Sequence, residues 1–386
     1  MTCPTIKLGK TSCGKMLSHE DERLGCKEPT PCPYQTGQRL RIQVLQSFQT
    51  PPIPYEADAI ISKVFSMTMS PVMAVTIMVG PVSHGHVVLK LYDRRFGTHF
   101  RKVNGEFSPH TASDEAAFQS LILNGKFEPF LHELAAEKKD SMIPPRPEDW
   151  LEDDSPDAVA RFEAALWQES QEHFKCEADA YRRLSDLQGQ VIPNMYAHVR
   201  LVPESSKTAS AATQSQLVPY LEVKGMLLER IYGYDLWDLP ISSLAPQERA
   251  WPGIVQSAVD AAYTINKRGV LMKDCDPRNV LVDQNSHTPF IIDLAQCLFK
   301  DEVIKFWEEE GLAEDDEWNE GQNCDLEAEW RDRLRQTDNC GAIGSVMATR
   351  LRREKNMDLI VKYPDYEKMI MDLRQRKISG GKAELT

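Results

Sequence analysis

Three polar residues close to one another in the chain have the types and spacing that phosphoryl transfer requires. Asp274 and Asn279 belong to the segment Asp274-Cys-Asp-Pro-Arg-Asn279, and Asp293 ends a short apolar run that begins at Pro289. Mg²⁺ prefers hard oxygen ligands and takes one or two from the protein, with phosphate and water supplying the others. The reaction also needs a carboxylate that orients the attacking hydroxyl. The pattern therefore predicts Asp274 as the catalytic base and Asn279 and Asp293 as the metal ligands.

The same two segments resemble paired motifs of one superfamily. Asp274 to Asn279 is similar to the D-x-x-x-x-N catalytic loop of protein kinases and of choline and aminoglycoside phosphotransferases, and Asp293-Leu-Ala is similar to their D-F-G turn. The order of helix, glycine, loop, short strand, hairpin and aspartate is also theirs. The resemblance implies ATP as the phosphate donor, Mg²⁺ as the metal, and a hydroxyl group on a protein or a small molecule as the acceptor.

The resemblance implies two further catalytic residues in the first half of the chain. A lysine on the third strand of the small lobe contacts the α- and β-phosphates in this superfamily, and Lys90 occupies such a strand, from His86 to Asp93. A helix glutamate holds that lysine. Glu177 is the predicted glutamate, with Glu172 and Asp179 as alternatives on the same helix.

The resemblance also implies a hinge strand that binds adenine through its backbone. The run Gly225-Met-Leu-Leu-Glu229-Arg-Ile-Tyr-Gly-Tyr-Asp235 is similar to that hinge. Leu228 would lie behind the adenine, and Asp235 would reach the ribose. The backbone contacts would come from Glu229 to Ile231.

A more specific resemblance is to uncharacterised fungal kinase-like proteins. Three runs carry it: Lys-Leu-Tyr-Asp-Arg-Arg-Phe at 90–96, Asp-Pro-Arg-Asn-Val-Leu-Val at 276–282, and Gly-Ala-Ile-Gly-x-Val-Met at 341–347. The superfamily likeness covers roughly residues 57–300 and extends only loosely over 300–386.

Three features depart from the superfamily pattern. No G-x-G-x-x-G loop precedes Lys90, and the corresponding turn is Met67-Thr-Met-Ser-Pro71. Asp276 stands where many protein kinases have a lysine that neutralises the transferring phosphate, and no A-P-E motif follows Asp293. Two expectations therefore stay open: an atypical ATP- and Mg²⁺-dependent kinase, or a nucleotide-binding pseudokinase or scaffold without turnover.

The elements that must position these residues follow a consistent order. Segments rich in β-branched and apolar residues, bounded by turn residues, predict strands at 57–66, 72–80, 86–93, 196–202 and 220–228. Apolar residues at helical spacing predict helices over 162–184 and 251–265. Strands with one long helix, then a mostly helical half, predict an α+β fold with two lobes. Together with the resemblance to the kinase superfamily, this order of elements implies a two-lobed protein-kinase-like fold. It would have a small antiparallel sheet lobe and a larger, mostly helical lobe.

Changes in composition suggest the domain boundaries. Residues 1–50, rich in Pro, Gly, Lys, Cys and Thr, are expected to form an N-terminal arm. Residues 51–228 are expected to form the small, nucleotide-binding lobe, with a long insert at about 101–158 and a flexible loop at 205–216. Residues 229–386 are expected to form the large catalytic lobe. The early cysteines, Cys3, Cys13, Cys26 and Cys32, lack the C-x-x-C spacing of a zinc site, so free thiols are expected.

Composition and charge narrow the classes of partner. The chain has 386 residues, of which 41% are hydrophobic and 27% charged, with a formal net charge of −13. An acidic chain disfavours nucleic acid or an anionic membrane surface as the main partner. No stretch has the length of a signal-peptide core or of a membrane span. The expected partners are ATP and an unidentified phosphate acceptor, and the expected location is cytoplasmic or nuclear.

Overall fold

The computed structural model describes residues 28–141, 144–151, 155–201, 211–309 and 325–380 of the chain. A lobe built around an antiparallel sheet is followed by a lobe of helices and short strand pairs. The predicted mixture of α and β elements, with a sheet lobe before a helical lobe, is confirmed. Cys32 is a half-buried free thiol, whereas the other early cysteines lie outside the described residues.

Six antiparallel strands of the sheet lobe close into a barrel. They are β1 (Arg39–Ser47), β2 (Glu56–Ser66), β3 (Val72–Val79), β4 (Val82–Tyr92), β7 (Met195–Leu201) and β8 (Val223–Leu228). Their order around the barrel is β1-β2-β3-β4-β8-β7, and β7 pairs with β1 to complete it. Alternate side chains along each strand point inward. The interior is therefore a packed core, in which Ile42, Val75 and Leu89 are fully buried.

Closure of the barrel depends on a segment that the sequence analysis assigned to the arm. Residues 39–47 form β1, which pairs with both β2 and β7. Ile42 and Val44 are buried in the barrel, and charged or polar residues alternate with them. The strand is hard to recognise in the sequence because this alternation is short and comes at the end of a polar, proline-containing stretch. The sheet is consequently a closed barrel and not an open meander.

The insert adds a helical layer to the sheet lobe. After the small hairpin of β5 (Lys102–Val103) and β6 (Glu106–Phe107) come α1 (Ala112–Leu123), α2 (Phe127–Asp140) and the long α3 (Ala158–Arg183). These helices share an apolar core with α4 (Ala211–Leu221). The prediction of a flexible loop at 205–216 is thus wrong from residue 211 onward. These residues begin α4, which is held in place because its Leu217 and Leu221 are buried in that core. Residues 202–210 lie outside the described residues.

A buried ionic cluster joins the insert to the end of β4. Glu163 of α3 is fully buried, accepts a hydrogen bond from Arg94 and forms an ion pair with Arg101, whose Nη2 lies 2.7 Å from Glu163 Oε1. Glu115 of α1 pairs with Arg94 at 2.6 Å and with His110 at 3.2 Å. Buried charges of this kind are tolerated only when they are paired, so the cluster holds α1 and α3 in a defined place on the barrel.

The second lobe is built on helices. Its elements are β9 (Gly233–Asp235), α5 (Trp251–Lys267), β10 (Val270–Met272), β11 (Val280–Asp283), β12 (Pro289–Ile291), β13 (Cys297–Phe299), α6 (Lys300–Glu309), α7 (Leu326–Thr337), α8 (Asn339–Lys355) and α9 (Tyr366–Gly380). The strands pair as β10-β13 and as β12-β11-β9. The apolar stripe of α5 packs against α8 and these strands, which fixes the loops between them. None of the helices in the described ranges combines the length and apolar character needed to cross a bilayer.

Candidate functional site

Three of the predicted site residues meet at the junction of the two lobes. Lys90 lies on β4, Glu177 on α3, and Asp293 directly after β12 and Ile292. Lys90 Nζ lies 2.6 Å from Glu177 Oε2 and 2.8 Å from Asp293 Oδ1. Lys90 and Glu177 are buried, whereas 36% of the Asp293 side chain is exposed. A buried lysine is therefore held between one enclosed and one accessible carboxylate.

Packing distinguishes Glu177 from the two alternatives on its helix. Its Oε2 also accepts the Tyr92 hydroxyl, and its Oε1 lies 3.4 Å from the backbone N–H of Leu294. Glu172 instead forms an exposed pair with Lys138, and Asp179 pairs with Arg182 in the next turn of α3. Of the three acidic residues, Glu177 is the one that contacts Lys90.

The charges of this group stabilise one another. Burial alone would lower the pKa of Lys90, but Asp293 and Glu177 outweigh burial and raise it. In return, the ammonium of Lys90 lowers the pKa of Asp293 against the effect of burial. Asp293 has φ 61°, a left-handed conformation that aspartate adopts more readily than most residues. This backbone turn directs the chain from β12 to the contact with Lys90.

The predicted catalytic loop forms a second, adjacent group. The side-chain amide of Asn279 donates to the backbone carbonyl of Asp274 at 2.9 Å and to its Oδ2 at 3.2 Å. The carbonyl of Asn279 accepts from Ile292 N at 2.9 Å, one residue before Asp293. Pairing of β11 with β12 sets this register. The structure therefore brings Asp274 and Asn279 together and places their loop beside the segment that ends in Asp293.

Two side chains of this region carry oxygen atoms of the kind that Mg²⁺ prefers. Asn279 uses its amide N–H groups on Asp274, which leaves its Oδ1 as an acceptor, and Asp293 is a partly exposed carboxylate. Both are the hard ligands that Mg²⁺ prefers, and two protein ligands are typical when phosphate and water complete the shell. Among the described residues, no group of three or more His, Cys, Asp or Glu could hold a metal.

The predicted hinge lies at the end of β8. Leu228 is buried there. Glu229 is tied to Asn194, because its backbone N–H donates to the Asn194 carbonyl at 2.8 Å and its carboxylate accepts from Asn194 N and Nδ2. Within the described residues, neither the Glu229 carbonyl nor the backbone of Ile231 has a hydrogen-bond partner. The resemblance assigns these backbone groups to adenine binding.

Asp235 ends β9 and lies opposite Leu281 of β11. Burial raises the pKa of Asp235, the nearby Asp238 raises it further, and Lys63 on β2 opposes this shift. Asp235 is thus a half-buried carboxyl group with a second acidic side chain nearby.

The turn between β2 and β3 replaces a glycine-rich loop and is attached to the segment after β4. The carbonyls of Met67 and Thr68 accept from Thr98 N at 2.8 Å and His99 N at 2.9 Å. Close packing demands Gly97, since a Cβ there would lie 2.8 Å from the Met69 carbonyl. Under this turn, a small cleft is lined by residues that include Met69, Ser70, His173, Asp293 and Gln296.

The unusual Asp276 is neutralised locally. Its carboxylate caps the short turn that follows by accepting from Arg278 N at 2.8 Å, and it lies 3.3 Å from the Arg278 guanidinium. That guanidinium lies 4.5 Å from the centre of the Trp237 ring. The charge of Asp276 is therefore partly offset by Arg278.

Sequence reasoning missed two residues of the site. Asn339, at the start of α8, is buried and clamps Met272, donating to its carbonyl at 2.7 Å and accepting from its N–H at 3.2 Å. This clamp fixes β10, the strand that leads into Asp274. The signal available in the sequence was the position of Asn339, a polar residue next to Asp338, which caps α8.

His173 lies one turn before Glu177 in the cleft, where burial and the charge of Lys90 lower its pKa. His173 precedes Glu177 by four residues, and this spacing was the signal in the sequence that both side chains lie on the same face of α3.

Comparisons with known proteins add little to this geometry. No family model matches the sequence, and no curated protein matches it. Among solved structures, a point mutant of the PknI kinase domain of Mycobacterium tuberculosis is 12% identical and covers 61% of this chain. The match spans 59% of that domain, with a TM-score of 0.28. A TM-score at this level does not establish a common fold.

Proposed function

We propose that this chain is an atypical ATP- and Mg²⁺-dependent kinase with a protein-kinase-like fold, which transfers the γ-phosphate of ATP to a hydroxyl acceptor. One observation carries the proposal: Lys90 Nζ contacts Glu177 at 2.6 Å and Asp293 at 2.8 Å, although the three residues come from distant parts of the chain. A lysine oriented in this way suits the phosphates of a nucleotide, and Asp293 stands beside it as a partly exposed metal ligand.

Each residue has a role in this proposal. The sheet lobe holds the nucleotide: Lys90 contacts the α- and β-phosphates and Glu177 orients it. The adenosine part is bound by the hinge, through Leu228, the backbone of Glu229 and Ile231, and the side chain of Asp235. Asn279 and Asp293 hold Mg²⁺, which when bound supplies charge neutralisation at the phosphates.

Asp274 completes the set as the catalytic base in the helical lobe. It accepts the proton of the acceptor hydroxyl, and Asn279 orients it through the 3.2 Å hydrogen bond to Oδ2. The acceptor, on a protein or a small molecule, binds on the open side of this loop.

Transfer of radiolabelled γ-phosphate from ATP to a panel of protein and small-molecule acceptors tests the proposal. Asp274→Asn and Asp293→Asn are each expected to reduce transfer at least about 100-fold, because one removes the base and the other a metal ligand. Asp260→Asn, on the exposed face of α5, is the matched control and should keep wild-type transfer. Undiminished transfer by both site variants would show that the site is elsewhere.

A second candidate is a nucleotide-binding pseudokinase or scaffold. The observation that favours it is the β2–β3 turn, whose Met67 and Thr68 carbonyls are bound to residues 98 and 99, so the turn lacks the freedom of a glycine-rich phosphate loop. A thermal-shift titration separates the candidates. Stabilisation by ATP with Mg²⁺, without transfer to any acceptor, supports the pseudokinase. An absence of stabilisation contradicts both.

A further inference from the structure

Two cysteines connect α3 to the segment that follows Asp293. Cys176 directly precedes Glu177 on α3, and Cys297 begins β13. The sulfur of Cys176 accepts a hydrogen bond from Cys297 N at 3.2 Å and lies 3.5 Å from the Cys297 carbonyl oxygen and 3.8 Å from the Leu294 carbonyl oxygen. Both cysteines are free thiols. A thiol on one element is thus seated against the backbone of the other cysteine.

The two cysteines are adjacent in the fold. Cys176 Sγ lies 3.2 Å from the backbone nitrogen of Cys297, and three bonds separate that nitrogen from the Cys297 sulfur. A disulfide needs an S–S separation of about 2.05 Å. Rotation of either side chain about its Cα–Cβ bond, between staggered conformations, changes the distance between the two sulfur atoms.

The environment of the pair distinguishes a nucleophile from a resolving thiol. Cys176 is half-buried, and Cys297 is buried. The neighbouring Cys297 thiol and the hydrogen bond from the Cys297 N–H lower the pKa of Cys176 against the effect of burial, whereas the Cys176 thiol and burial raise the pKa of Cys297. Since the thiolate is the reactive form, Cys176 reacts first with an oxidant. Cys297 then lies next to the oxidised sulfur.

We propose that Cys176 and Cys297 are an oxidative modification site, which hydrogen peroxide converts to an intramolecular disulfide. The Cys176 thiolate attacks one peroxide oxygen, the O–O bond breaks, and the departing hydroxide takes up a proton as water, leaving a sulfenic acid. The Cys297 sulfur attacks that sulfur, the S–S bond forms and the S–O bond breaks. The oxygen leaves as water with the proton of Cys297. Two thiols lose two electrons, and one peroxide becomes two waters.

The disulfide fixes α3 to the segment that contains Leu294. Glu177 is adjacent to Cys176 and contacts the Leu294 N–H, so the crosslink holds the Glu177 side of the site in place. It also joins residues 121 positions apart. Closure of so long a loop restricts the unfolded chain and stabilises the folded one.

Peptide mapping of the 386-residue chain, treated with peroxide in the absence of nucleotide, tests the proposal. Trypsin releases Cys176 in residues 176–182 and Cys297 in residues 279–300, and each peptide contains one cysteine. The expected product is the linked pair of peptides, lighter by two hydrogens than the sum of the two, which dithiothreitol separates. The oxidised chain should also melt about 4 °C higher than the reduced chain.

Serine variants provide the controls. Cys176→Ser and Cys297→Ser should each lose the linked peptides and the rise in Tm, whereas Cys32→Ser, in the sheet lobe, should keep both. Failure to find the linked peptides in the wild-type chain overturns the proposal, as does conversion of Cys176 to sulfinic acid with Cys297 still reduced. Because mapping of the wild-type chain needs neither folded variants nor kinase activity, this result is independent of the proposed function.

Discussion

At the scale of single residues, the group around Lys90 shows how a buried charge is made compatible with folding. Removing a charge from water costs several kcal/mol unless a partner and hydrogen bonds compensate for it. Lys90 has two carboxylates, and Glu177 in turn accepts from Tyr92 and lies near the Leu294 N–H. Each buried charge therefore has a partner, and the exposed part of Asp293 is the part left for a ligand.

Glu177→Gln tests this group. The substitution preserves shape but removes the charge, so it should lower the free energy of unfolding by about 3 kcal/mol and weaken stabilisation by ATP with Mg²⁺. Urea denaturation and thermal-shift titration measure the two effects. The matched variant Glu172→Gln, on the exposed part of α3, should alter neither, because surface ion pairs contribute little. Equal behaviour of the two variants would contradict the role given to Glu177.

At the scale of elements, the contact of β8 with β4 ties barrel packing to the position of Lys90. Gly225 of β8 faces Leu91 of β4. A Cβ at Gly225 would lie 2.6 Å from the Lys90 carbonyl and 2.6 Å from Leu91 Cδ2. Because one of these atoms belongs to the backbone of the lysine itself, the strand must shift to admit a side chain.

Gly225→Ala is therefore expected to destabilise the fold by about 1–3 kcal/mol and to weaken nucleotide binding with it. Chemical denaturation and ATP titration measure these changes. Gly253→Ala is the control, since a Cβ at this position of α5 meets no atom within 4 Å, and the helix should gain up to about 1 kcal/mol. A Gly225→Ala variant as stable as the wild type would mean that β4 and β8 are not constrained as described.

The contact of α1 with the end of β4 predicts a pH dependence. Burial raises the pKa of Glu115, but Arg94, together with the neighbouring His110 and a hydrogen bond from Gln119, outweighs burial and lowers it well below the ordinary 4.5. A lowered pKa contributes stability that is complete above the unfolded value and is lost as the pH falls through it toward the folded value. The contribution should thus be complete at pH 7 and decline progressively as the pH falls below about 4.5.

Thermal melting from pH 7 to pH 2 measures this dependence. Glu115→Gln should melt below the wild type at pH 7, and the difference should shrink as the solution is acidified. Glu106→Gln, exposed on β6, should follow the wild type throughout. A gap between Glu115→Gln and the wild type that stays constant with pH would contradict the ionic role of this carboxylate.

At the scale of the whole molecule, local chemistry was predictable from the sequence and long-range pairing was not. Asp274, Asn279 and Asp293 stand in short segments whose spacing already limits their geometry. Glu177 could not be separated from Glu172 by spacing alone, because the packing of α3 against β4 decides which carboxylate is buried. The assignment of roles to these residues stays a prediction.

Two elements were hidden for related physical reasons. β1 is a polar-apolar alternation that gains its partners from β2 and β7, more than one hundred residues apart in the chain. Residues 211–216 have the composition of a loop but belong to α4, because buried Leu217 and Leu221 anchor that helix among α1 and α3. In both cases, tertiary contacts supply the stability that local composition does not indicate.

The closed barrel has a consequence for self-association. With β1 in place, β2 and β7 each have a neighbour on both sides. A chain shortened to begin at residue 51 would expose an edge of each strand and lose the burial of Ile42 and Val44, on the order of 3–6 kcal/mol. Free edges of this kind recruit strands from other chains. We expect light scattering to detect soluble oligomers or precipitation of this shortened chain. A chain that begins at Glu28 is the control and should stay monodisperse. If the chain that begins at residue 51 were also monodisperse, β1 would be dispensable.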